Sequence, residues 1–202
     1  IGFPVLIEVK DFIGAKNKKY SSHFSLYTKL TTATFFALLI GGTLLILIFE
    51  ANHFFAGRSW HESFFYALFQ SSSSRNGGLA TMDMRQFSDS TLLVLCFLMF
   101  VGASPSSVGG GVRTTTFAVN LLFLISFVKG GKGVKIFNRE LHDEDVQKSF
   151  VVSILAFFLC FLATIILLAT EPFSLMEILF EVSSAFGTTG LSLGITADLS
   201  VT

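Results

Sequence analysis

The chain alternates long apolar stretches with short polar ones. Four of the apolar stretches contain no charged residue: 30–49, 90–112, 114–128 and 149–170. The first and the last are long enough to cross a hydrocarbon core of about 30 Å as helices. Arg113 and several glycines interrupt the middle pair, which we interpret as one broken span. Two other segments, 59–71 and 174–184, are too short to cross and predict re-entrant or interfacial helices.

The order of these segments predicts two copies of one unit, made of a span, a re-entrant helix, a turn and a second span. The first copy covers 31–128, with a span at 31–49, a re-entrant helix at 59–71, turn A at 74–79 and the broken second span at 90–128. The second copy covers 149–202, with a span at 149–170, a re-entrant helix at 174–184 and turn B at 187–192, and it lacks a second span. Residues 1–30 hold the end of a preceding repeat and a linker, and 129–148 form another linker. The chain starts at Ile1 without an initiator methionine, so we expect it to be part of a longer protein.

Matching details at the start of each re-entrant helix support the duplication. One helix opens with Ser59 and Glu62, and the other opens with Ser174 and Glu177. Serine followed three residues later by glutamate is typical of a capping box, in which each side chain bonds the other residue's backbone amide. Both helices then run into small and polar residues and a Gly-Leu pair. One box alone is weak support, but the same order in two places indicates a repeated unit.

Composition and charge indicate a membrane protein. Hydrophobic residues make up 51% of the chain, charged residues only 14%, and mean hydropathy is +0.69, whereas a soluble domain has roughly 25% charged residues. Net charge is zero, so nothing indicates nucleic-acid binding. Ten of the fourteen Lys and Arg residues lie in 1–30 and 129–148, which the positive-inside rule assigns to the cytoplasmic side. Cys96 and Cys160 lie in apolar runs and indicate neither a disulfide nor a metal site.

The turns that follow the re-entrant helices are candidate cation sites. A short helix that enters from outside directs its C-terminus, the negative end of its dipole, at the membrane centre. A Gly/Ser/Thr segment after it can turn backbone carbonyls inward, where they replace the hydration shell of a monovalent cation. The candidate ligands are the backbone carbonyls of Asn76, Gly77, Gly78 and Leu79 in turn A, and of Thr188, Thr189, Gly190 and Leu191 in turn B. The alternative is that both are simply turns packed between helices, which is less convincing for two matching turns.

The broken span has a candidate gate at its centre. Pro105 and the glycines at 109–111 prevent a continuous helix through residues 102–113, which we call the intramembrane loop. Its candidate gate residues are Gly102, Ser104, Pro105, Ser106, Ser107, Gly109, Gly110, Gly111 and Arg113. Two interpretations of Arg113 stay open, a charge beside a water-lined path or a side chain that reaches the cytoplasmic face. For Arg75 we expect a vestibule position and a carboxylate partner.

Three motifs carry a resemblance to a known family: Asn76-Gly77-Gly78-Leu79, Thr188-Thr189-Gly190-Leu191 and the run from Gly102 to Thr116. They resemble motifs of the bacterial Ktr/Trk/HKT superfamily of potassium transporters, most closely those of its KtrB-type subunits. The resemblance covers nearly the whole chain, as the third repeat and most of the fourth. It implies an all-α integral membrane fold of span–pore helix–filter–span units around a pseudo-fourfold pore. Neither turn has the Gly-Tyr-Gly of potassium channels, so modest selectivity is implied.

The same resemblance implies the function and the partners. A protein of this kind takes up potassium through a carbonyl-lined filter in the bacterial cell membrane, crosses the membrane several times and is not an enzyme. The resemblance implies a homodimer with one pore per chain, and a cytosolic nucleotide-binding regulatory ring of the KtrA type on the cytoplasmic face. Potassium is then the cargo, the nucleotide belongs to the partner, and this chain needs no organic cofactor.

Two other functions fit parts of the pattern. A secondary transporter with broken helices also places helix ends at a midplane site, but it would show breaks within its spans rather than two matching capped helices. An intramembrane serine protease would use Ser104 as nucleophile and needs a histidine within hydrogen-bond reach. The four histidines, at 23, 53, 61 and 142, all lie outside the full spans, which makes this the weakest of the three hypotheses.

Overall fold

The computed structural model describes residues 2–14, 24–131, 133–136 and 139–199, and these are mostly helical. The helices are α1 (Phe3–Gly14), α2 (Leu26–Glu50), α3 (Trp60–Ser73), α4 (Asp89–Val101), α5 (Thr114–Val128), α6 (Asp143–Thr170) and α7 (Leu175–Gly187). A short 3-10 helix covers Met84–Gln86, and β1 (Lys135–Ile136) pairs antiparallel with β2 (Arg139–Glu140). Four lysines that contribute to the predicted orientation lie outside the described residues: Lys16, Lys18, Lys19 and Lys132.

The structure corrects the predicted linker 129–148. Its last residues are helical, because α6 begins at Asp143 rather than at residue 149. The first turn of α6 is acidic, with Asp143, Glu144 and Asp145 at the positive end of the helix dipole, which stabilises the early start. A two-residue β1–β2 pair lies in the same linker, and the described fold is otherwise helical, as expected. The first span also begins early, at Leu26, since the Ser25 side chain caps α2 by accepting from the Thr28 amide at 3.1 Å.

The long apolar helices match the predicted spans. Among the described residues, α2 and α6 are long and apolar enough to cross a membrane, and α4 and α5 are shorter apolar helices on either side of the intramembrane loop. Exposed aromatic side chains such as Phe157 and Phe158 cover α6, as expected for a surface that faces lipid. Together these features fit a membrane protein.

Both predicted capping boxes are present. At the start of α3, Ser59 Oγ accepts from the Glu62 amide at 3.3 Å and Glu62 accepts from the Ser59 amide at 3.4 Å. At the start of α7, Ser174 Oγ accepts from the Glu177 amide at 3.4 Å and Glu177 accepts from the Ser174 amide at 2.9 Å. The donors from Ser174, first its amide and then its hydroxyl, lower the pKa of Glu177. The two short helices therefore begin in the same way.

The helices pack around a core that lies between α2, α4 and α7. Helix α4 packs against α7, α3 packs against α2, and α5 packs against α6. Buried side chains from different elements meet in one cluster, including Ile46 of α2, Leu95 and Met99 of α4, and Phe180 of α7. Leu191, in turn B, belongs to the same cluster, so the packing of α4 against α7 fixes the position of this turn.

A buried carboxylate joins the end of α2 to the start of α4. Glu50 accepts from the amide and hydroxyl of Ser88, at 2.8 and 2.7 Å, and from the Phe54 amide at 3.2 Å. His53 Nδ1 lies 3.1 Å from the same carboxylate. A buried charge is costly unless it is hydrogen-bonded, and these contacts satisfy it while Ser88 caps α4.

Candidate functional site

Turn A is built around one serine at the end of α3. The backbone carbonyl of Ser73 accepts from the amides of Gly77 and Gly78, at 2.8 and 3.1 Å. The Ser73 hydroxyl donates to the Leu79 carbonyl at 2.6 Å and accepts from the Leu79 amide at 2.8 Å. Gly78 has a φ of +60°, in the left-handed region that glycine adopts without strain. The sequence did not reveal this role of Ser73, because it is one of four consecutive serines. The Leu79 carbonyl, one of the candidate ligands, already accepts a hydrogen bond within the turn.

Turn B repeats this arrangement with a different serine. Helix α7 ends at Gly187, and Thr188 follows in the left-handed conformation with a φ of 51°. The carbonyl of Ser184 accepts from the Thr189 amide at 2.9 Å, and its hydroxyl accepts from the Gly190 amide at 3.2 Å. Gly190 has a φ of +87°. In both turns a buried serine near the helix end therefore holds the Gly-Leu pair.

The two turns lie side by side. Thr189 Oγ1 of turn B donates to the carbonyl of Ser74 in turn A at 3.2 Å. A Cβ atom at Gly78 would overlap the carbonyl oxygen of Thr189, so the backbones are in direct contact there. Two segments about 110 residues apart in sequence are thus brought together at the C-terminal ends of two capped helices.

The intramembrane loop contacts both turns. Gly110 donates its amide to the Gly187 carbonyl at 3.2 Å and lies 2.7 Å from Thr188 Oγ1, and Gly111 donates to the Phe186 carbonyl at 3.2 Å. A Cβ at Gly109 would overlap the side-chain oxygen of Asn76 in turn A. The loop therefore covers the C-terminus of α7 and touches the end of turn A.

Turn A and the loop also line one cavity of about 540 Å³. On one side are Ser73, Arg75, Asn76, Gly77 and Leu79, and on the other are Ala103, Ser104, Ser107 and Val108. Hydroxyl groups and backbone face this space beside the apolar Phe35 and Phe69. The cavity thus offers a polar lining next to two segments that were predicted to act on the same ion path.

Hydrogen bonds close the intramembrane loop on itself. The Ala103 amide donates to the Gly110 carbonyl at 3.1 Å, and the Arg113 amide donates to the Val101 carbonyl at 3.0 Å. The ends of α4 and α5 are therefore joined directly at the base of the loop. From outside the loop, the Tyr27 hydroxyl donates to the Pro105 carbonyl at 3.1 Å, a contact that the sequence did not reveal.

Arg113 acts within the loop in this structure. Its guanidinium donates to the carbonyls of Gly109 and Ser107. Its φ of 82° is unusual for a residue with a side chain, and its own side chain does not cap α5. The sequence left two interpretations of Arg113 open, a position beside a water-lined path or a side chain that reaches the cytoplasmic face. In the structure, its guanidinium binds the backbone of the loop itself.

The prediction for Arg75 is wrong in its partner. The residue is only 4% exposed, and its guanidinium donates to the Phe35 carbonyl at 3.0 Å. The same group lies 4.4 Å from the centre of the Phe35 ring. Within the described part of the chain it is thus held by α2 through a carbonyl and a ring face, not by a carboxylate. Phe35 is correspondingly half-buried, unlike its exposed neighbour Phe36.

The geometry around Ser104 gives no support to a protease. Its hydroxyl is buried and has no hydrogen-bond partner among the described residues. His53 is bonded to Glu50 at the opposite end of α2, and His23 lies outside the described residues. A serine nucleophile needs an adjacent base, which these described contacts do not provide.

Comparison with known proteins gives consistent matches. The model of the TrkH family, described as cation transport protein, matches residues 1–202. The chain is 62% identical over 200 residues to the Ktr system potassium uptake protein D of Bacillus subtilis (strain 168), covering 99% of this chain and 44% of that protein. It is 32% identical to the Ktr system potassium uptake protein B of the same strain, covering 98% and 44%. It is also 32% identical to the potassium/sodium uptake protein NtpJ of Enterococcus hirae, covering 88% and 40%. The chain spans less than half the length of these relatives.

Proposed function

The chain belongs to the TrkH family of cation transport proteins, and we propose that it is part of a pore subunit that takes potassium into bacterial cells. The uptake proteins D and B of the Ktr system carry potassium in their names, and this chain aligns with them over nearly all of its length. The name of the Enterococcus relative includes sodium as well, so discrimination between the two ions is the property to measure.

The contact between turn A and turn B is the observation that carries this proposal. Each turn follows a capped helix, is held by a serine and contains a glycine with positive φ at its centre. Two such turns side by side give two walls of a filter in which backbone carbonyls coordinate the ion. In the proposal, the equivalent turns of the remaining repeats complete a pseudo-fourfold pore in the full-length protein.

Backbone carbonyls and hydroxyls suit a large monovalent ion. Potassium sheds its hydration shell more readily than divalent cations, which prefer carboxylate ligands. The eight predicted ligand residues, Asn76 to Leu79 and Thr188 to Leu191, bring no carboxylate to the turns. The C-terminal dipole of α3 adds a negative potential at the same place, and that of α7 would do so once the loop amides that bind its last carbonyls move aside.

The intramembrane loop is the proposed gate. It lies against the C-terminus of α7 and shares a cavity with turn A, so its displacement would change the space next to both turns. Regulation requires a partner that binds the open and closed arrangements with different affinity. We assign this role to a cytosolic nucleotide-binding ring of the KtrA type, docked on the cytoplasmic face of a homodimer. Helix α5 connects the loop to the predicted cytoplasmic linker, which gives such a ring a route to the gate.

Uptake by the full-length protein tests the proposal. Cells that lack their own potassium uptake systems should grow at low potassium when they express it with its regulatory partner. Purified protein in vesicles should carry potassium in preference to sodium. Protein that reaches the membrane and is folded, but carries neither ion, would refute the proposed function.

A further inference from the structure

A carboxylate on α7 fixes the end of turn B and the residues that follow it. Glu181 accepts from the Ser192 hydroxyl at 2.6 Å and from the Leu193 amide at 3.0 Å through one oxygen. Its other oxygen accepts from the Thr196 hydroxyl at 3.0 Å. All three donors lie 11 to 15 residues further along the chain, so one side chain ties the middle of α7 to the segment after the turn.

The segment 191–196 alternates between two environments. Leu191, Leu193 and Ile195 are almost completely buried, whereas Ser192 and Thr196 lie on the side where Glu181 binds them. The apolar side chains anchor one side of the segment in the core, and the carboxylate anchors the other. With three hydrogen bonds from this segment, Glu181 is its polar anchor on α7.

The other unit contributes a second anchor to the same segment. Arg85, which follows turn A in sequence, donates from Nε to the carbonyl of Leu193 at 2.5 Å. A Cβ at Gly194 would come within 3.0 Å of the Arg85 guanidinium, so the arginine lies directly against the backbone there. Leu193 is thus bonded at its amide by Glu181 and at its carbonyl by Arg85.

Turn A has no equivalent carboxylate. Glu181 lies three residues before Ser184, and the residue three before Ser73 is Gln70. Gln70 is buried and donates from Nε2 to Met84 Sδ at 3.3 Å, so it makes one weak bond to the segment after turn A where Glu181 accepts three. Leu79 in turn A is 65% exposed, whereas Leu191 in turn B is 2% exposed. The anchoring by a carboxylate is therefore particular to the second unit.

We infer that Glu181 is a positioning residue for turn B, which sets the separation of its carbonyls by holding segment 191–196. This inference rests on the proposed function. Selectivity in a carbonyl filter depends on the number and placement of the coordinating oxygens. Without the three bonds to Glu181, the segment keeps its apolar contacts and the single bond from Arg85, and turn B can relax toward the shorter distances that sodium favours.

Two substitutions separate hydrogen bonding from charge. In Glu181→Ala all three bonds are lost, and we expect the ratio of potassium to sodium uptake to fall about threefold to tenfold, in line with the loss of bonds to a charged group. In Glu181→Gln the amide oxygen still accepts from Ser192 and Leu193 and the amide nitrogen can donate to Thr196, so the ratio should stay within about twofold of the wild type. Glu144→Ala, which removes an exposed carboxylate whose ion pair in the described part of the chain is with Lys148, is the matched control and should leave the ratio unchanged.

The experiment uses the full-length protein with its regulatory partner, reconstituted in vesicles, with half-saturation and maximal rates measured for each ion. If Glu181→Ala does not accumulate, Ser192→Ala and Thr196→Val each remove one donor and should lower the ratio by smaller amounts. A wild-type protein that carries no potassium refutes the proposed function. If the wild type discriminates between the ions and the ratio of potassium to sodium uptake is unchanged in Glu181→Ala, or in both single-donor variants, the inference is overturned but the proposed function is not. A Glu181→Gln variant as defective as Glu181→Ala also overturns it, because charge rather than geometry would then matter.

Discussion

At the scale of single residues, the two glycines of the candidate filter meet different surroundings. Both have positive φ, but an added side chain at Gly78 would run into the Thr189 carbonyl, whereas nothing lies within 4 Å of the equivalent position at Gly190. The sequence treats the two Gly-Leu pairs as equivalent. The structure makes Gly78 the more sensitive position, because a change there acts on both turns at once.

Substitution by serine tests this difference. We expect Gly78→Ser to lower the ratio of potassium to sodium uptake by about tenfold, an energy difference of about 1.4 kcal/mol. Gly190→Ser should have a smaller effect, since it costs only the backbone strain of about 1–2 kcal/mol, which the turn can absorb in part. Gly41→Ser on α2, where nothing lies within 4 Å, is the control. Equal ratios in Gly78→Ser and Gly41→Ser, at equal protein levels, would contradict the contact between the turns.

Ser73 offers a second test at this scale. Ser73→Ala leaves the Leu79 amide and carbonyl without their present partner, and we expect a loss of about 1–2 kcal/mol of stability. Thermal unfolding of the full-length protein in detergent, with and without potassium, measures this loss. Ser72→Ala changes an exposed neighbour and should behave like the wild type. If both variants unfold at the same temperature, Ser73 does not hold turn A.

At the scale of elements, the intramembrane loop has closely spaced ends. A Cβ at Gly102 would come within 2.7 Å of the Gly111 Cα, and the Ala103 amide is bonded to the Gly110 carbonyl. Helices α4 and α5 are therefore already joined at the base of the loop, by the bonds of Val112 and Arg113 to the last turn of α4. This geometry allows the loop to be shortened without pulling the helices from their places.

Deletion of residues 104–110 tests the gate. If the loop is the gate, we expect higher potassium flux that is largely independent of the cytosolic partner, because the proposed obstruction is gone while α4 and α5 keep their positions. Arg113→Gln, which removes the guanidinium bonds to Gly109 and Ser107, should raise flux less than the deletion. Flux is measured as uptake of labelled ion into vesicles with and without the partner. A folded deletion protein with wild-type flux and full partner dependence would leave the loop as a structural break only.

At this scale, the sequence correctly predicted features that depend on residues close together in the chain. The capping boxes at Ser59 and Ser174 depend on residues three apart, and the break at Pro105 depends on backbone chemistry, so both were readable. The start of α6 was missed because Asp143 to Asp145 ended the apolar run, although acidic residues favour a helix N-terminus. The partner of Arg75 and the role of Glu181 depend on tertiary contacts across 40 and 11–15 residues, which no spacing rule supplies. Glu181 in the apolar middle of α7 was still a signal, because a carboxylate among apolar residues usually has a hydrogen-bond partner.

At the scale of the whole molecule, the distribution of Lys and Arg residues predicts how the chain is oriented in the membrane. The basic linkers should face the cytoplasm, and the loop between α2 and α3 should face outside. In a variant without Cys96 and Cys160, a cysteine at Ala56 should react with an impermeant reagent from outside only. One at Glu144 should react from the cytoplasmic side only. Both positions are exposed, so reaction of the two from the same side would overturn the topology.

The bonds from Gly110 and Gly111 to the end of α7 have a consequence for electrostatics during opening. In the observed arrangement, amide hydrogens of the loop neutralise the carbonyls of Phe186 and Gly187, which form the negative end of that helix. In the proposed gate, a loop that moves aside would remove these hydrogens. The uncovered carbonyls would then need new partners, which in the proposed pore are water or the permeating ion. Opening would thus exchange a bound amide for a bound cation, so a high concentration of the ion would itself favour the open arrangement.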